Sequence, residues 1–167
     1  MSAQFRLRPA APGDADFLRA LHIDSHPELR QLPLPPAAQQ QLIQLQIDAQ
    51  SSQYRTNYPD SLDQLIETDD APVGRCWTNR SATELRLLDI AVLSAHRGNG
   101  IGRAVLLELR RLATAAGLPI RLTVWQDNHG AQRLYTDLGF EAGTEANGYL
   151  EMSWPPEPSA AAAAEGA

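Results

Sequence analysis

Hydrophobic positions alternate in some stretches of this chain and recur every three to four residues in others, and the two periods divide it into strands and helices. Phe5 to Arg8 alternates and predicts a first strand. Ala11-Pro12-Gly13-Asp14 marks a helix start, with Phe17, Leu18, Leu21 and His22 on one face of the helix that follows. Pro27, Pro33, Pro35 and Pro36 then break the chain. A second helix is predicted over Ala37 to Gln53, with Leu42, Leu45, Gln46 and Ala49 at helical spacing. The leucines and isoleucines among its glutamines mark an ordered amphipathic helix and not a low-complexity tract.

Short strands follow over Leu62 to Glu67 and Val73 to Thr78, joined by Asp69-Asp70-Ala71-Pro72. After a turn at Asn79-Arg80-Ser81-Ala82, a longer strand runs from Glu84 to Leu93. The clearest helical period comes next: Gly102, Val105, Leu106, Leu109, Leu112, Ala113 and Ala116 form one stripe. Arg103, Arg110 and Arg111 lie off it, and Gly117 and Pro119 end the helix. Pro119 to Trp125 reads as a strand, and His129 to Leu138 as a helix capped by Asn128 or Asp127 and ended by Gly139. Phe140 to Glu145 and Tyr149 to Trp154 form a hairpin through Asn147-Gly148, a strong turn signal. Strands mixed with four helices in this order predict an α/β fold whose mixed sheet, of about seven strands, is largely antiparallel. The folded domain is expected over 1–154, and the Pro- and Ala-rich end, 155–167, as a disordered tail.

Composition narrows the class. The chain has 167 residues, enough for one domain with a sizeable core, and 43% of them are hydrophobic. No apolar run approaches the roughly 18 residues that span a bilayer, so no membrane role is expected. Met1-Ser2-Ala3-Gln4-Phe5-Arg6 lacks a signal-peptide core, which makes the cytoplasm the expected location. Cys76 is the single cysteine, so no internal disulfide forms, and its place beside Trp77 fits a small buried hydrophobe better than a nucleophile. Lysine is absent, every basic residue is arginine, and the formal net charge is −6. That balance disfavours nucleic acid as a partner, since phosphate contacts need a cationic excess.

The chemistry concentrates in Arg97-Gly98-Asn99-Gly100-Ile101-Gly102, where a strand feeds a glycine-rich turn into a helix. Such a turn exposes backbone N–H groups, lets a phosphate approach closely and adds the positive end of the helix dipole. A Walker A loop needs Gly-Lys-Ser/Thr at its end, whereas Gly102 is followed by Arg103 and Ala104. The dinucleotide fingerprint fails at its third glycine, where Arg103 stands. The pattern Arg/Gln-x-x-Gly-x-Gly/Ala is met without a gap by Arg97, Gly100 and Gly102.

With that loop the chain resembles the GNAT superfamily of N-acetyltransferases, and the resemblance covers roughly 84–142 with ordered spacing. Leu88-Asp89-Ile90-Ala91-Val92 is similar to the family's fourth strand, Gly100 to Ala116 to its third helix, and Pro119 to Trp125 to its fifth strand. Asn128-His129-Gly130-Ala131, Leu134-Tyr135 and Leu138-Gly139-Phe140 resemble its second signature block. The resemblance implies acetyl-CoA as co-substrate, an amine as acceptor, and splayed fourth and fifth strands that take the thioester arm between them. It assigns the pyrophosphate to the turn formed by Arg97, Gly98, Asn99, Gly100, Ile101 and Gly102, with Arg103 beside it. The arm falls to the main chain of Val92, Leu93 and Ser94, with the Val92 amide as oxyanion donor. Asn128 resembles the asparagine that bonds the arm, although a plain helix cap explains it equally. Tyr135 stands where the family places the proton donor to the departing thiolate, although it also lies on the apolar stripe of Ala131, Leu134 and Leu138. Members often dimerise, and a homodimer is compatible with the chain.

The general base is not given by the motif. The resemblance implies a carboxylate on the fourth or fifth strand; the fifth holds no acid, so Asp89 and Glu84 on the fourth are the candidates, with an ion pair to an arginine or a water relay as alternatives. His22 and His26 stand four apart, a spacing that suits a metal on a helix, yet Pro27 follows at once and a surface helix end is expected, with no metal. His22, Asp24, Tyr54 and Tyr58 border the acceptor side in such a fold, while the spacing of the two tyrosines fits ordinary packing. The reading is an acetyltransferase acting on a small amine or on a peptide or protein N-terminus; a non-catalytic acyl-CoA-binding module is the alternative.

Overall fold

Two-residue turns set the hairpins of this protein. A computed structural model describes residues 3–155. Leu62–Thr68 (β2) and Ala71–Arg80 (β3) join through Asp69 and Asp70, both left-handed with φ of 50° and 62°. This turn matches strand twist, so β3 starts two residues before the sequence pattern shows it and takes in Pro72, at a register shift after Ile66. Arg6–Pro9 (β1) lies antiparallel to β2. Leu85–Val92 (β4) and Ile120–Trp125 (β5) are parallel, paired from Leu85↔Ile120 to Leu87↔Leu122. Tyr149–Trp154 (β7) pairs antiparallel with both β5 and Glu141–Ala146 (β6). Among the described residues the order is β1-β2-β3-β4-β5-β7-β6, the expected mixed seven-stranded sheet, and four α-helices accompany it.

The chain divides into two units, Met1–Arg80 with Leu88–Val105, and Ser81–Leu87 with Leu106–Ala167, so that β4 contributes to each. In the first unit, Ala15–Ser25 (α1) and Pro36–Asn57 (α2) accompany β1 to β3. Leu65, Ile66, Val73, Cys76 and Trp77 are almost wholly buried, with Leu21, Leu29 and Ile43 from the helical segments. The face of α2 is rotated from the expected one: Ile43 is buried while Leu45 is 65% exposed. The reason lies beyond the predicted end of the helix, where Tyr54 packs edge-on against Trp77 at 5.0 Å and fixes which side turns inward. Glu67, also buried, is held by Arg6 at 2.5 Å and by Arg8, which reaches Asp14 at 2.8 Å as well. Arg8 draws the Asp14 carboxyl down to a pKa of about 2.

In the second unit, Leu106, Leu109 and Ala113 of Ile101–Ala116 (α3), Ile120, Leu122 and Val124 of β5, Leu138, Phe140 and Met152 are buried. The expected stripe of α3 is corrected at two positions. Leu112 is 43% exposed, and Arg110 packs inward, its guanidinium 4.6 Å over Trp154 and Nη1 donating to the Leu138 carbonyl at 3.1 Å. A long side chain buries its stem while its head finds an acceptor, which a binary pattern does not display. His129–Asp137 (α4) follows the Asn128 cap. Apart from Pro155, the expected tail at 155–167 lies outside the described residues. No helix among the described residues is long and apolar enough to cross a membrane.

The β6–β7 turn is left-handed at Asn147 (φ 54°) and Gly148 (φ 82°), and a Cβ on Gly148 would lie 2.3 Å from the Trp125 ring. Gly148→Ala is therefore expected to lower unfolding free energy by about 1–2 kcal/mol from backbone strain, with ring displacement adding to it. Urea melts of the two proteins measure the difference.

Candidate active site

β4 ends at Val92, Ser94–His96 makes one short turn, and the chain enters α3 through Gly98 and Gly100. Both glycines are left-handed, with φ of 78° and 77°, and a Cβ on either would meet no atom within 4 Å. Glycine is thus needed for backbone conformation, while the space above the turn stays open to a ligand. Ile101 is buried and anchors the first turn of α3, and Ala104 N–H donates to the Gly100 carbonyl at 2.9 Å. Gly102 is half-buried, whereas Arg97, Gly98, Asn99, Gly100 and Arg103 are exposed. The first amides of a sixteen-residue helix, an open glycine turn and the Arg103 guanidinium in the first turn make a fitting anion cradle.

The segment leading into this cradle is tied down on several sides. Asp24, in the last turn of α1, accepts from Ser94 N–H at 2.7 Å and Ser94 Oγ at 2.6 Å. Arg97 donates from Nε to the Val92 carbonyl at 2.8 Å and approaches Asp24 at 3.5 Å. The Ser94 hydrogen bonds hold the Asp24 carboxyl below its usual range. Asp24, expected on the acceptor side, thus serves this turn. Leu93 N–H donates to the Val73 carbonyl at 2.8 Å. Beside it, a Cβ on Gly74 would lie 2.3 Å from the Ala91 carbonyl oxygen and 3.2 Å from the Val92 Cα. Only glycine admits β3 that close to the Ala91–Val92 peptide. A glycine inside a buried strand was the available sequence signal for this position.

Asp89 sits on the same half of β4. Burial pushes its carboxyl above the usual range, opposed by Arg75 and His26, with Asp63 adding to the rise. Cys76 is fully buried, and that burial raises its thiol to about 12 with Asp89 contributing, which makes it the inert hydrophobe expected. Tyr54 donates its hydroxyl to the Leu88 carbonyl at 2.9 Å, a structural contact. His22 and His26 stack with ring centroids 4.4 Å apart, and His26 Nδ1 lies 2.9 Å from the His22 carbonyl. They are half-buried instead of forming a surface helix end, and desolvation followed by His26 lowers the His22 pKa.

Three of the predicted site residues belong to the second unit. Glu84, just before β4, binds Arg86 Nε at 2.8 Å, and Arg86 also reaches Glu151 at 3.1 Å. Asn128 caps α4, its side-chain oxygen accepting from Ala131 N–H at 3.2 Å. That leaves its amide donors for another partner. Tyr135 is buried in α4, its ring 5.6 Å from Phe140.

A family model described as the acetyltransferase (GNAT) family matches residues 18–140. No curated protein matches the sequence. Among solved structures, an acetyltransferase from Thermus thermophilus is similar, with 22% identity, TM-score 0.67, and coverage of 93% of this chain and 100% of that one. The PaiA N-acetyltransferase from Thermoplasma acidophilum, solved in complex with coenzyme A, has 17% identity and TM-score 0.67 over 90% of this chain and 98% of its own. A GNAT family acetyltransferase from Elizabethkingia anophelis with acetyl-CoA bound has 15% identity and TM-score 0.57, covering 89% and 96%. These likenesses share the fold. The family match takes in the glycine turn, the strand before it and the helix bearing Tyr135, and on that match the chain belongs to the GNAT acetyltransferase family.

Proposed function

We propose that this acetyltransferase moves an acetyl group from acetyl-CoA to a primary amine by direct attack in a ternary complex. The acceptor is a small amine or the N-terminus of a peptide or protein. The observation that carries the cofactor assignment is the open turn with two left-handed glycines at the start of α3. The coenzyme A and acetyl-CoA named for the T. acidophilum and E. anophelis relatives support it. A cytoplasmic setting accompanies this reading, and the net charge of −6 disfavours a nucleic-acid partner.

When bound, acetyl-CoA supplies an activated thioester carbonyl and a thiolate leaving group. The amides of the 97–102 turn hold the pyrophosphate, and Arg103 adds charge. Leu93 and Ser94 amides already serve Val73 and Asp24, and the oxyanion falls to the Val92 amide, the donor the family resemblance assigns. Asp89 accepts a proton from the acceptor amine as its nitrogen bonds to the acetyl carbon; Tyr135 donates its phenolic proton to sulfur as the C–S bond breaks. Asp89 is preferred over Glu84 as base because Glu84 is already paired with Arg86, whereas burial destabilises the Asp89 anion and favours its taking a proton. Asn128 offers its amide donors to the arm.

Calorimetric titration with acetyl-CoA tests the assignment at its root: saturable binding is expected, and no binding at millimolar concentration sinks it. Tyr135→Phe is expected to keep that affinity while turnover falls by about 100-fold or more. Unchanged turnover would remove Tyr135 from the chemistry.

Gly74→Ala must displace the Ala91–Val92 peptide, so kcat is expected to fall by about 10-fold or more while acetyl-CoA affinity changes less. Single-turnover kinetics separate the two.

Because the folded pKa of Asp89 is raised, its ionisation costs stability as pH climbs from the unfolded value of about 3.9 through the folded one. Asp89→Asn should therefore melt higher than the parent at pH 8 and alongside it below about pH 4, while losing the acid limb of the rate profile. A lower melting temperature at pH 8 would contradict this.

A further inference from the structure

Between α1 and α2, over β3, lies a cavity of about 560 Å³ that the acetyl-transfer reading does not use. It is lined by Leu18 of α1, by Ile47, Asp48, Ser51 and Arg55 of α2, and by Arg75 of β3. Its volume is that of a small-molecule site. Leu18 belongs to the first turn of α1, whereas Asp24, which serves the glycine turn, belongs to the last. The cavity lies toward the other end of α1 from Asp24, and its wall shares Arg75 with the surroundings of Asp89.

Its charges are arranged and not scattered. Arg75 is buried, and its Nε and Nη2 donate to the two Asp63 oxygens, each at 2.7 Å. Its guanidinium lies 4.4 Å over the Trp77 ring, which holds it in one plane. Arg55 converges on the same groups, 5.6 Å from the Trp77 ring centre and 3.9 Å from Asp63 Oδ2. Two guanidiniums therefore share one carboxylate, and Asp63 takes only two of the five Arg75 N–H donors. Arg55 is 67% exposed and meets Asp63 only at 3.9 Å, so this end can still take an anion. Asp48 lies on the same face of α2 as Ser51 and Arg55, about 10 Å along the helix from Arg55. Gln44 donates to Asp48 Oδ1 at 2.9 Å, leaving Oδ2 to the cavity wall. The cavity thus offers cation at one end, hydroxyl in the middle and carboxylate at the other.

We propose that this cavity binds a small monocarboxylate whose far end carries an amine, with the carboxylate on Arg55 and Arg75 and the amine on Asp48. A dicarboxylate would set its second charge against Asp48, and a simple amine would bring no carboxylate to the arginine end.

The test uses the full chain and three probes of one length: 5-aminopentanoate, pentanoate and pentylamine, titrated calorimetrically, with acetyl-CoA titrated in parallel. Saturable binding in the order 5-aminopentanoate, then pentanoate, then pentylamine is expected. Arg55→Ala should weaken 5-aminopentanoate by about 10-fold or more, Arg55→Lys by less, and Asp48→Asn should erase its advantage over pentanoate. Arg55 is 67% exposed, and all three variants are expected to keep the parent's acetyl-CoA affinity, which reads the fold and the transfer site independently. The proposal is overturned if 5-aminopentanoate does not saturate at about 50 mM, if pentylamine binds as well, or if Arg55→Ala binds it unchanged.

Discussion

The C-terminal half of β4 carries the proposed base and the proposed oxyanion donor, and its backbone is held by contacts from several elements. Tyr54 takes the Leu88 carbonyl, Val73 takes the Leu93 amide, Asp24 takes the Ser94 amide and hydroxyl, and Arg97 takes the Val92 carbonyl. Gly74 completes the hold by letting β3 press against the Ala91–Val92 peptide where no side chain fits. A backbone donor contributes to catalysis only if its direction is set before charge develops, because reorientation during the reaction would return much of the gain. These contacts set that direction.

On the same strand, the proposed base sits where its anion is costly. Asp89 stands among protein groups that raise its pKa, with Arg75 and His26 opposing. A carboxylate with strong pairing would be more stable and a weaker base. Arg75 is itself committed to Asp63 and stacked on Trp77, so its field reaches Asp89 without a direct bond that would quench it.

Local signals were legible wherever the chain's own neighbours decide the outcome. Asn147-Gly148 specified a hairpin because few residues tolerate left-handed backbone, and the turn at Gly98 and Gly100 was legible for the same reason. Asn128 was readable as a cap because its partner, Ala131, lies three residues away. Periodicity failed at α2 and at Leu112 and Arg110 of α3, where side chains elsewhere in the fold chose the inward face.

The order of residues by itself determined the family, the strand–turn–helix cradle and the residue types available for proton transfer, since all of these depend on short-range spacing and conformational preference. Only the tertiary structure decided that β7 lies between β5 and β6, that Asp24 reaches Ser94 across seventy positions, and that Arg55 and Arg75 converge on one carboxylate. Those pairings join segments whose separation leaves no periodic trace, and they form only when burial of the core brings the segments together.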